Sequence, residues 1–344
     1  MITDSRNTIC FYFLKWFILV NNWYIINLGT EDFIMYLFGV DIGGTTVKIG
    51  LVSKESNKLL DKFEIVTSVA NKGDAILPDV VDAIKKYCNE KQIDYKDIKG
   101  IGLGVPGAVS NGVVNKCINL GWGVKNVVKD FKELLGFETV VECDNDANCA
   151  ALGEMLCGDD ATYHSAIMLT LGTGVGGGII LNGKPISGFT GAAGELGHMH
   201  VDTKYNFKCN CGLTGCLETV ASATGVVRVA KEFLKTEKSV LVNDENLTCK
   251  DVFDAAKEGD EVALKVVDEL GYHIGLATSL LAVTTNPEVF IIGGGVSRAG
   301  QILIDSIEKH FQKFAYHAVK NTKFILASLG NDSGMLGASL LTKE

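Results

Sequence analysis

Residues 36–52 read YLFGVDIGGTTVKIGLV, in which two apolar runs flank a glycine-rich turn. This composition predicts two β-strands joined by that turn. Backbone N–H groups exposed at such a turn can hold phosphate oxygens, Asp41 can hold a hydrated magnesium ion, and Lys48 can offset negative charge. An ordinary hairpin has the same pattern, so this stretch alone leaves both interpretations open.

The same pattern returns at 166–181, AIMLTLGTGVGGGIIL, and a third glycine cluster follows the apolar run at 289–292. Gly172, Gly174 and Gly177 fit the dinucleotide fingerprint G-x-G-x-x-G. That fingerprint opens a helix, whereas this stretch continues into a second strand and ends at Asn182-Gly183, a hairpin signal. The sequence also contains no G-x-x-x-x-G-K-[ST] stretch, which excludes a P-loop. Two strand-turn-strand units therefore predict a nucleotide held between two similar lobes.

Length and composition narrow the class of protein. A chain of 344 residues with 47% hydrophobic and 21% charged residues can form about two globular domains. Its net charge of −9 disfavours a nucleic-acid partner. The apolar run at 9–20 is interrupted by Lys15 and lacks a small-residue cleavage site, which disfavours a secretory signal or a membrane anchor. We expect residues 1–34 to be a leader or a misassigned start before Met35, and the protein to be cytoplasmic.

These motifs, in this order, resemble the ROK family of sugar kinases, a branch of the actin, hexokinase and Hsp70 superfamily, and most of all its glucokinase group. The similarity extends over residues 36–342. It implies an α/β fold with two actin-like (ribonuclease H-like) lobes, in which mixed sheets are flanked by helices. We expect a small lobe at 35–143 plus 333–344, and a large lobe at 144–332 that holds the sugar and zinc sites.

The resemblance also implies how the nucleotide is bound. ATP, with Mg²⁺, would be held by the two glycine turns and by the third cluster as an adenosine motif. The implied ATP-binding residues are Asp41, Gly43, Gly44, Thr45, Thr46, Lys48, Gly172, Thr173, Gly174, Gly294 and Gly295.

Asp144-Asn145-Asp146 stands between a predicted strand at 139–143 and a helix-forming run at 147–156. A carboxylate there is commonly a helix N-cap. Phosphoryl transfer to a sugar hydroxyl, however, needs one carboxylate that orients the hydroxyl and accepts its proton. The resemblance makes Asp146 the catalytic base and Asn145 a sugar ligand, and it leaves Asp144 as a competing candidate for the base.

Most of the 10 cysteines are scattered singly and are expected to be reduced thiols. Cys209, Cys211 and Cys216 instead crowd among glycines, as in a tetrahedral zinc site that lacks its fourth ligand. His198 or His200 could complete the set, and the resemblance favours His198. Four protein ligands would make this Zn²⁺ structural.

The zinc-pinned loop would bring Glu195, His198 and Glu218 to the sugar. The resemblance adds Gly107 and Asn119 as sugar contacts, and implies a homodimer or homotetramer. We therefore expect an ATP-dependent glucokinase that phosphorylates the 6-hydroxyl of glucose. The alternatives are an N-acetylmannosamine or N-acetylglucosamine kinase of this family, and a non-catalytic sugar-responsive regulator.

Apolar spacing predicts the helices of the scaffold. They are expected at 74–89, 226–235, 260–283 and 301–314, with a terminal helix that opens at 334–339 and packs closely through small residues.

Overall fold

The computed structural model of the protein describes residues 35–159 and 162–343. The predicted leader at 1–34 lies outside the described residues.

The elements follow one another in two rounds of strands and helices. The strands are β1 (Tyr36–Ile42), β2 (Thr46–Ser53), β3 (Leu59–Val66), β4 (Ile98–Val105), β5 (Val109–Ser110), β6 (Val113–Val114), β7 (Lys125–Asn126), β8 (Val140–Asn145), β9 (Ala166–Leu171), β10 (Val175–Leu181), β11 (Lys184–Pro185), β12 (Val289–Gly293) and β13 (Lys323–Leu326). The helices are α1 (Ala70–Gly73), α2 (Ile76–Lys91), α3 (Val127–Leu135), α4 (Asp146–Cys157), α5 (Glu218–Ala221), α6 (Ala223–Phe233), α7 (Cys249–Lys257), α8 (Glu261–Thr285), α9 (Gln301–Phe314) and α10 (Ser333–Leu340).

The two larger sheets share one topology. The first has the order β3-β2-β1-β4-β8, and the second has the order β11-β10-β9-β12-β13. In each, the glycine-turn hairpin is antiparallel and the following strands are parallel to its first strand. The repeat seen in the sequence is therefore a structural repeat, with Asp41 paired with Lys48 in the first hairpin. A small sheet, β5-β6-β7, accompanies the first large one.

The terminal helix α10 packs against the first sheet through backbone contacts. A Cβ atom added to Gly39 of β1 would lie 1.7 Å from the Met335 carbonyl oxygen. On its other side α10 meets α4, where a Cβ on Gly337 would lie 1.6 Å from the Cys149 carbonyl oxygen. Small residues are needed at these positions because larger ones would push the backbones apart.

Two main apolar cores lie around the sheets. One surrounds the first sheet and α2, and includes Phe38 and Phe131. The other lies between the second sheet and α6 to α9, where the rings of Phe290, Phe311 and Phe324 contact one another at centroid distances of 5.0 to 6.0 Å. Helix α8 is long and apolar enough to cross a membrane, but 61% of its most apolar 18-residue window is buried inside the protein. That burial is typical of a core helix.

The predicted helices exist, most of them with shifted ends. The helix expected at 74–89 runs from Ile76 to Lys91, and the one expected at 226–235 runs from Ala223 to Phe233. Those expected at 260–283 and 301–314 are α8 and α9, and the second has the expected bounds. Helices α3 and α7 were not predicted. Both have nine residues, so each offers little periodic pattern.

Candidate functional site

Strand residues that flank the two glycine turns line one cavity of about 320 Å³ together with the start of α4. Its lining includes Asp41 from β1, Lys48 from β2, Asp146 from α4 and Thr170 from β9. These residues come from both sheets, and those on β1 and β9 lie near the carboxyl ends of parallel strands, where α/β proteins commonly bind ligands.

Asp146 is the first residue of α4, but it is not the N-cap. That position belongs to Asn145, whose side-chain oxygen accepts hydrogen bonds from the Ala147 and Asn148 N–H groups at 2.9 and 3.3 Å. The Asp146 carboxylate accepts one hydrogen bond, from the Ala147 N–H at 2.9 Å. Burial, with smaller contributions from the carboxylates of Asp41 and Glu195, raises the pKa of Asp146 to about 6. Asp146 is therefore a half-buried carboxylate with a raised pKa at the wall of the cavity.

Asp144 differs from Asp146 in that both of its carboxylate oxygens accept hydrogen bonds from other residues of the protein. Its oxygens accept hydrogen bonds from the Asn145 N–H at 2.6 Å, the Asn148 side-chain amide at 2.9 Å and the Ser187 hydroxyl at 2.9 Å. Its exposed fraction is 8%. This arrangement is that of a structural carboxylate, so the geometry favours Asp146 over Asp144 as a proton acceptor.

The first glycine turn carries a charge pair. Lys48 Nζ lies 3.7 Å from Asp41 Oδ2. Burial raises the pKa of Asp41, and the neighbouring Lys48 ammonium opposes that rise. At the turn itself, Gly43 N–H donates to the Thr46 carbonyl at 3.1 Å, and Thr67 N–H donates to the Thr45 carbonyl at 2.9 Å. A Cβ on Gly44 would lie 3.8 Å from Asn119, which brings the predicted sugar residue next to this turn.

The second glycine turn is held by helix residues behind it. The Ala223 N–H donates to the Gly172 carbonyl at 2.8 Å, and the Thr224 hydroxyl donates to the Thr173 carbonyl at 3.2 Å. Glu218 accepts a hydrogen bond from the Val175 N–H at 3.1 Å. A Cβ on Gly174 would lie 2.5 Å from the same Glu218 oxygen. Glu218 therefore lies against the second phosphate-type turn, and a side chain at position 174 would displace its carboxylate.

The third glycine cluster borders a separate cavity of about 470 Å³. Gly295 and Arg298 form part of one wall, and helix α7 forms another through Phe253 and Asp254. Sequence reasoning missed the α7 wall. A signal was present, since Thr248 and Asp251 form a capping box that begins α7.

The cysteine cluster meets the geometric requirement for a tetrahedral metal. One donor atom from each of His198, Cys209, Cys211 and Cys216 lies within 4.8 Å of every other. Cys209 Sγ lies 3.6 Å from His198 Nδ1, and Cys211 Sγ lies 3.6 Å from Cys216 Sγ. Two thiolates on one zinc ion, at about 2.3 Å each, would be roughly 3.8 Å apart. The donor set therefore fits Zn²⁺.

His198 and its rival His200 have different surroundings. His198 turns Nδ1 to the thiols, while its Nε2 lies 4.0 Å from Glu195 Oε2. His200 instead places Nδ1 3.0 Å from the Thr214 carbonyl, and it does not belong to the cluster. The geometry thus selects His198 and leaves its other ring nitrogen beside Glu195.

Three of the other predicted sugar residues lie at the edges of this region. The Asn145 side-chain amide donates to the Gly107 carbonyl at 3.0 Å, which joins the loop after β4 to the start of α4. Asn119 is exposed, whereas the nearby Trp122 is 4% exposed and donates its Nε1–H to the Gly73 carbonyl at 3.0 Å. Trp122 is therefore a core residue.

Comparison with known proteins identifies the family. The ROK family model matches residues 37–344. The chain belongs to the ROK family. A glucokinase from Halalkalibacterium halodurans is 43% identical over 318 residues, which cover 89% of this chain and 94% of that protein. An N-acetyl-D-glucosamine kinase from Vibrio atlanticus is 30% identical over 318 residues, covering 88% of this chain and 98% of that protein.

A solved structure shows the same fold. It is a ROK family glucokinase from Streptomyces griseus in complex with glucose and AMPPNP, with a TM-score of 0.66 and 31% identity. The match covers 89% of this chain and 98% of that one. The α/β fold expected from the ROK motifs, with mixed sheets flanked by helices, is thereby confirmed.

Proposed function

We propose that this ROK protein is an ATP-dependent glucokinase that phosphorylates the 6-hydroxyl of glucose, with Asp146 as general base. The observation that carries the proposal is the position of Asp146 in one cavity with Asp41 and Lys48. Residues of both large sheets line this cavity. The glucokinase from Halalkalibacterium halodurans, at 43% identity, supports the same conclusion.

Asp146 would act on the acceptor hydroxyl. Its carboxylate accepts a hydrogen bond from the sugar O–H, orients the oxygen toward the γ-phosphorus, and takes the proton as the new P–O bond forms and the bond to ADP breaks. With a pKa of about 6, Asp146 is mostly ionised at neutral pH. Because this pKa is close to the working pH, the carboxylate is also basic enough to accept the proton. Little further covalent chemistry is required of the protein.

The nucleotide would extend between the two cavities. The phosphates would lie on the turns that contain Gly43, Gly44, Thr45, Thr46, Gly172, Thr173 and Gly174, and the adenosine would lie at Gly294, Gly295 and the wall formed by α7. Lys48 would offset phosphate charge, and Asp41 would hold the magnesium ion through its water shell. When bound, Mg²⁺ would neutralise the negative charge that develops on the phosphate oxygens.

Six residues would recognise the sugar. They are Gly107, Asn119, Asn145, Glu195, His198 and Glu218. Carboxylates accept hydrogen bonds from sugar hydroxyls, and a histidine that binds zinc through Nδ1 donates one from its Nε2–H, so such a lining suits a neutral polyol. One of the amide N–H groups of Asn145 already binds Gly107, so the second remains for a hydroxyl.

Zn²⁺ would be structural, because His198, Cys209, Cys211 and Cys216 complete a four-ligand sphere. The ion would fix the orientation of the His198 ring, whose Nε2 then faces Glu195 and the sugar. We also propose a cytoplasmic location, an assembly of two or four copies, and the two lobes divided near residues 143 and 333.

A second candidate is an N-acetylhexosamine kinase. The kinase from Vibrio atlanticus, at 30% identity, favours it. The same base and nucleotide site would serve, and the change would lie in the contacts with the substituent at carbon 2.

The test is initial phosphorylation rates with magnesium ATP on glucose, N-acetylglucosamine, N-acetylmannosamine, mannose and fructose. Asp146→Asn is run alongside, with glucose binding measured by calorimetry. We expect turnover selective for glucose that falls by about 10³-fold or more in the variant, while binding persists. Preference for an N-acetylated sugar would reject glucose as the substrate and favour the N-acetylhexosamine kinase. Sugar binding without turnover of any sugar would reject the kinase activity and favour a sugar sensor.

A further inference from the structure

The turn at 328–332 borders the cavity that holds Asp41 and Lys48. Asn331 lies in the cavity wall, and its carbonyl oxygen accepts a hydrogen bond from Lys48 Nζ at 3.4 Å. On its other side the same Nζ lies 3.7 Å from Asp41 Oδ2. The position of the Lys48 ammonium therefore depends on the position of this turn.

A buried carboxylate fixes the turn from the side of α4. Glu154 is 5% exposed, and its two oxygens accept hydrogen bonds from the Ser328 N–H at 2.9 Å and the Leu329 N–H at 3.0 Å. Charge-assisted bonds of this kind are roughly twice as strong as neutral ones. Since α4 also begins with Asp146, Glu154 ties the turn to the helix that carries the candidate base.

An ion pair fixes the turn from the side of the first sheet. Lys62 Nζ of β3 contacts both carboxylate oxygens of Asp332, at 2.7 and 2.8 Å. Strand β3 is paired with β2, in which Lys48 lies opposite Glu64. The turn is thus held between α4 and the strand next to the one that carries Lys48.

A similar arrangement elsewhere in the fold offers a control. Glu288, which is exposed, accepts hydrogen bonds from the His164 and Ser165 N–H groups at 2.6 and 2.8 Å. It precedes β12, so it lies at the strand end opposite Gly293 and Gly294. Each glutamate thus accepts hydrogen bonds from two consecutive backbone N–H groups, through both oxygens in Glu154 and through Oε2 alone in Glu288, but Glu288 and its donors do not line the Asp41 cavity.

We propose that Glu154 and the Lys62–Asp332 pair are positioning residues that hold the 328–332 turn, and through it Lys48, against the nucleotide phosphates. The proposal rests on the proposed kinase function and adds residues to its nucleotide half. Because the turn reaches Lys48 and not the zinc-pinned loop, their loss acts on magnesium ATP and leaves the sugar site unchanged.

The experiment compares Glu154→Gln with Glu288→Gln in the full chain. Glutamine keeps the size of the side chain but turns an NH₂ group toward one of the two N–H donors. We expect the Kd and KM for magnesium ATP to rise about tenfold in E154Q, with the glucose Kd within about twofold of the wild type. E288Q is expected to leave all three constants unchanged.

The exposed pair provides a second arm if E154Q folds poorly. Asp332→Asn and Lys62→Met are expected to raise the magnesium ATP constants about threefold each, and the exchange K62D/D332K is expected to restore them. This rescue separates a positioning role from a general loss of stability. A general loss of stability would affect both substrates, and the exchange would not restore the constants for magnesium ATP alone.

Two results would overturn the proposal. One is a set of magnesium ATP constants in E154Q and D332N that match the wild type. The other is an equal loss of glucose and nucleotide affinity, which would indicate a general structural defect. If the wild type binds magnesium ATP but phosphorylates no hexose, the proposed function fails, while the nucleotide Kd values still test the positioning role.

Discussion

Replacement of Asp146 by asparagine should make the protein more stable at neutral pH while it removes activity. In the folded protein the pKa of Asp146 rises from 3.8 to about 6. Each pH unit of difference corresponds to about 1.4 kcal/mol, so the ionised carboxylate costs the native state about 3 kcal/mol at pH 8. Asparagine removes that charge, but it weakens the bond to the Ala147 N–H and the favourable charge at the start of a helix, together about 1 kcal/mol.

The direction in which the free energy of unfolding changes with pH follows from proton linkage. A carboxyl group whose pKa is raised on folding contributes stability below its unfolded pKa, and this contribution is lost as the pH rises through the folded pKa. For Asp146 that window lies between about pH 4 and pH 6. The stability difference between D146N and the wild type should therefore widen by about 2 kcal/mol between pH 4.5 and pH 8.

Urea titrations of both proteins at these two pH values, without nucleotide or magnesium, measure the effect. Asp144→Asn is the matched control, because its carboxylate accepts hydrogen bonds from Asn145, Asn148 and Ser187. We expect D144N to destabilise the protein by about 1–3 kcal/mol at pH 8. A D146N difference that does not change with pH, or a D146N protein less stable than the wild type at pH 8, would refute the reasoning about the buried charge.

Three further predictions concern the surroundings of the site. In an Asp41→Asn background the pH-dependent stability gap between D146N and its parent should narrow, because one like charge that raises the Asp146 pKa is gone; urea titrations measure it. Cys216→Ser should lose the one zinc ion expected per chain and bind glucose less tightly, as elemental analysis and calorimetry would show. Gly39→Ala should destabilise the fold by about 3 kcal/mol or more, as urea titration would show, because its Cβ would overlap a carbonyl of α10. The control Gly123→Ala has open space around its Cβ and should change stability by less than about 1 kcal/mol.

The sequence was most informative where one residue type serves both local structure and chemistry. The glycine turns at 43–44 and 172–174 predicted their hairpins because glycine clusters between runs of strand-forming residues are typical turn signals. The thiols and His198 were predicted as one cluster because the cysteines lie close together in the chain. The shared order of the two large sheets follows from the repeated strand-turn-strand pattern.

What escaped prediction depends on contacts between distant parts of the chain. Helix α7 is short and polar, and its place beside Gly295 depends on the packing of the second core. Glu154 stands 174 residues before Ser328, so nothing in the local pattern indicates that it braces that turn. The choice between Asp144 and Asp146 likewise required the Ser187 hydroxyl, which lies 43 residues beyond Asp144 and uses its oxygens.

Helix α4 thus carries two carboxylates whose burial is compensated to different extents. Both Asp146 and Glu154 have pKa values raised by burial, which shows that ionisation of each is opposed by its surroundings. Glu154 offsets part of this cost through its two backbone N–H donors, whereas Asp146 accepts a single one. A general base needs a carboxylate oxygen that is free to accept a proton. Asp146, which stabilises the fold less than Glu154 does, is therefore the carboxylate suited to act as the base. If that reasoning is correct, substitutions that add a donor near Asp146 should stabilise the protein and slow phosphoryl transfer together.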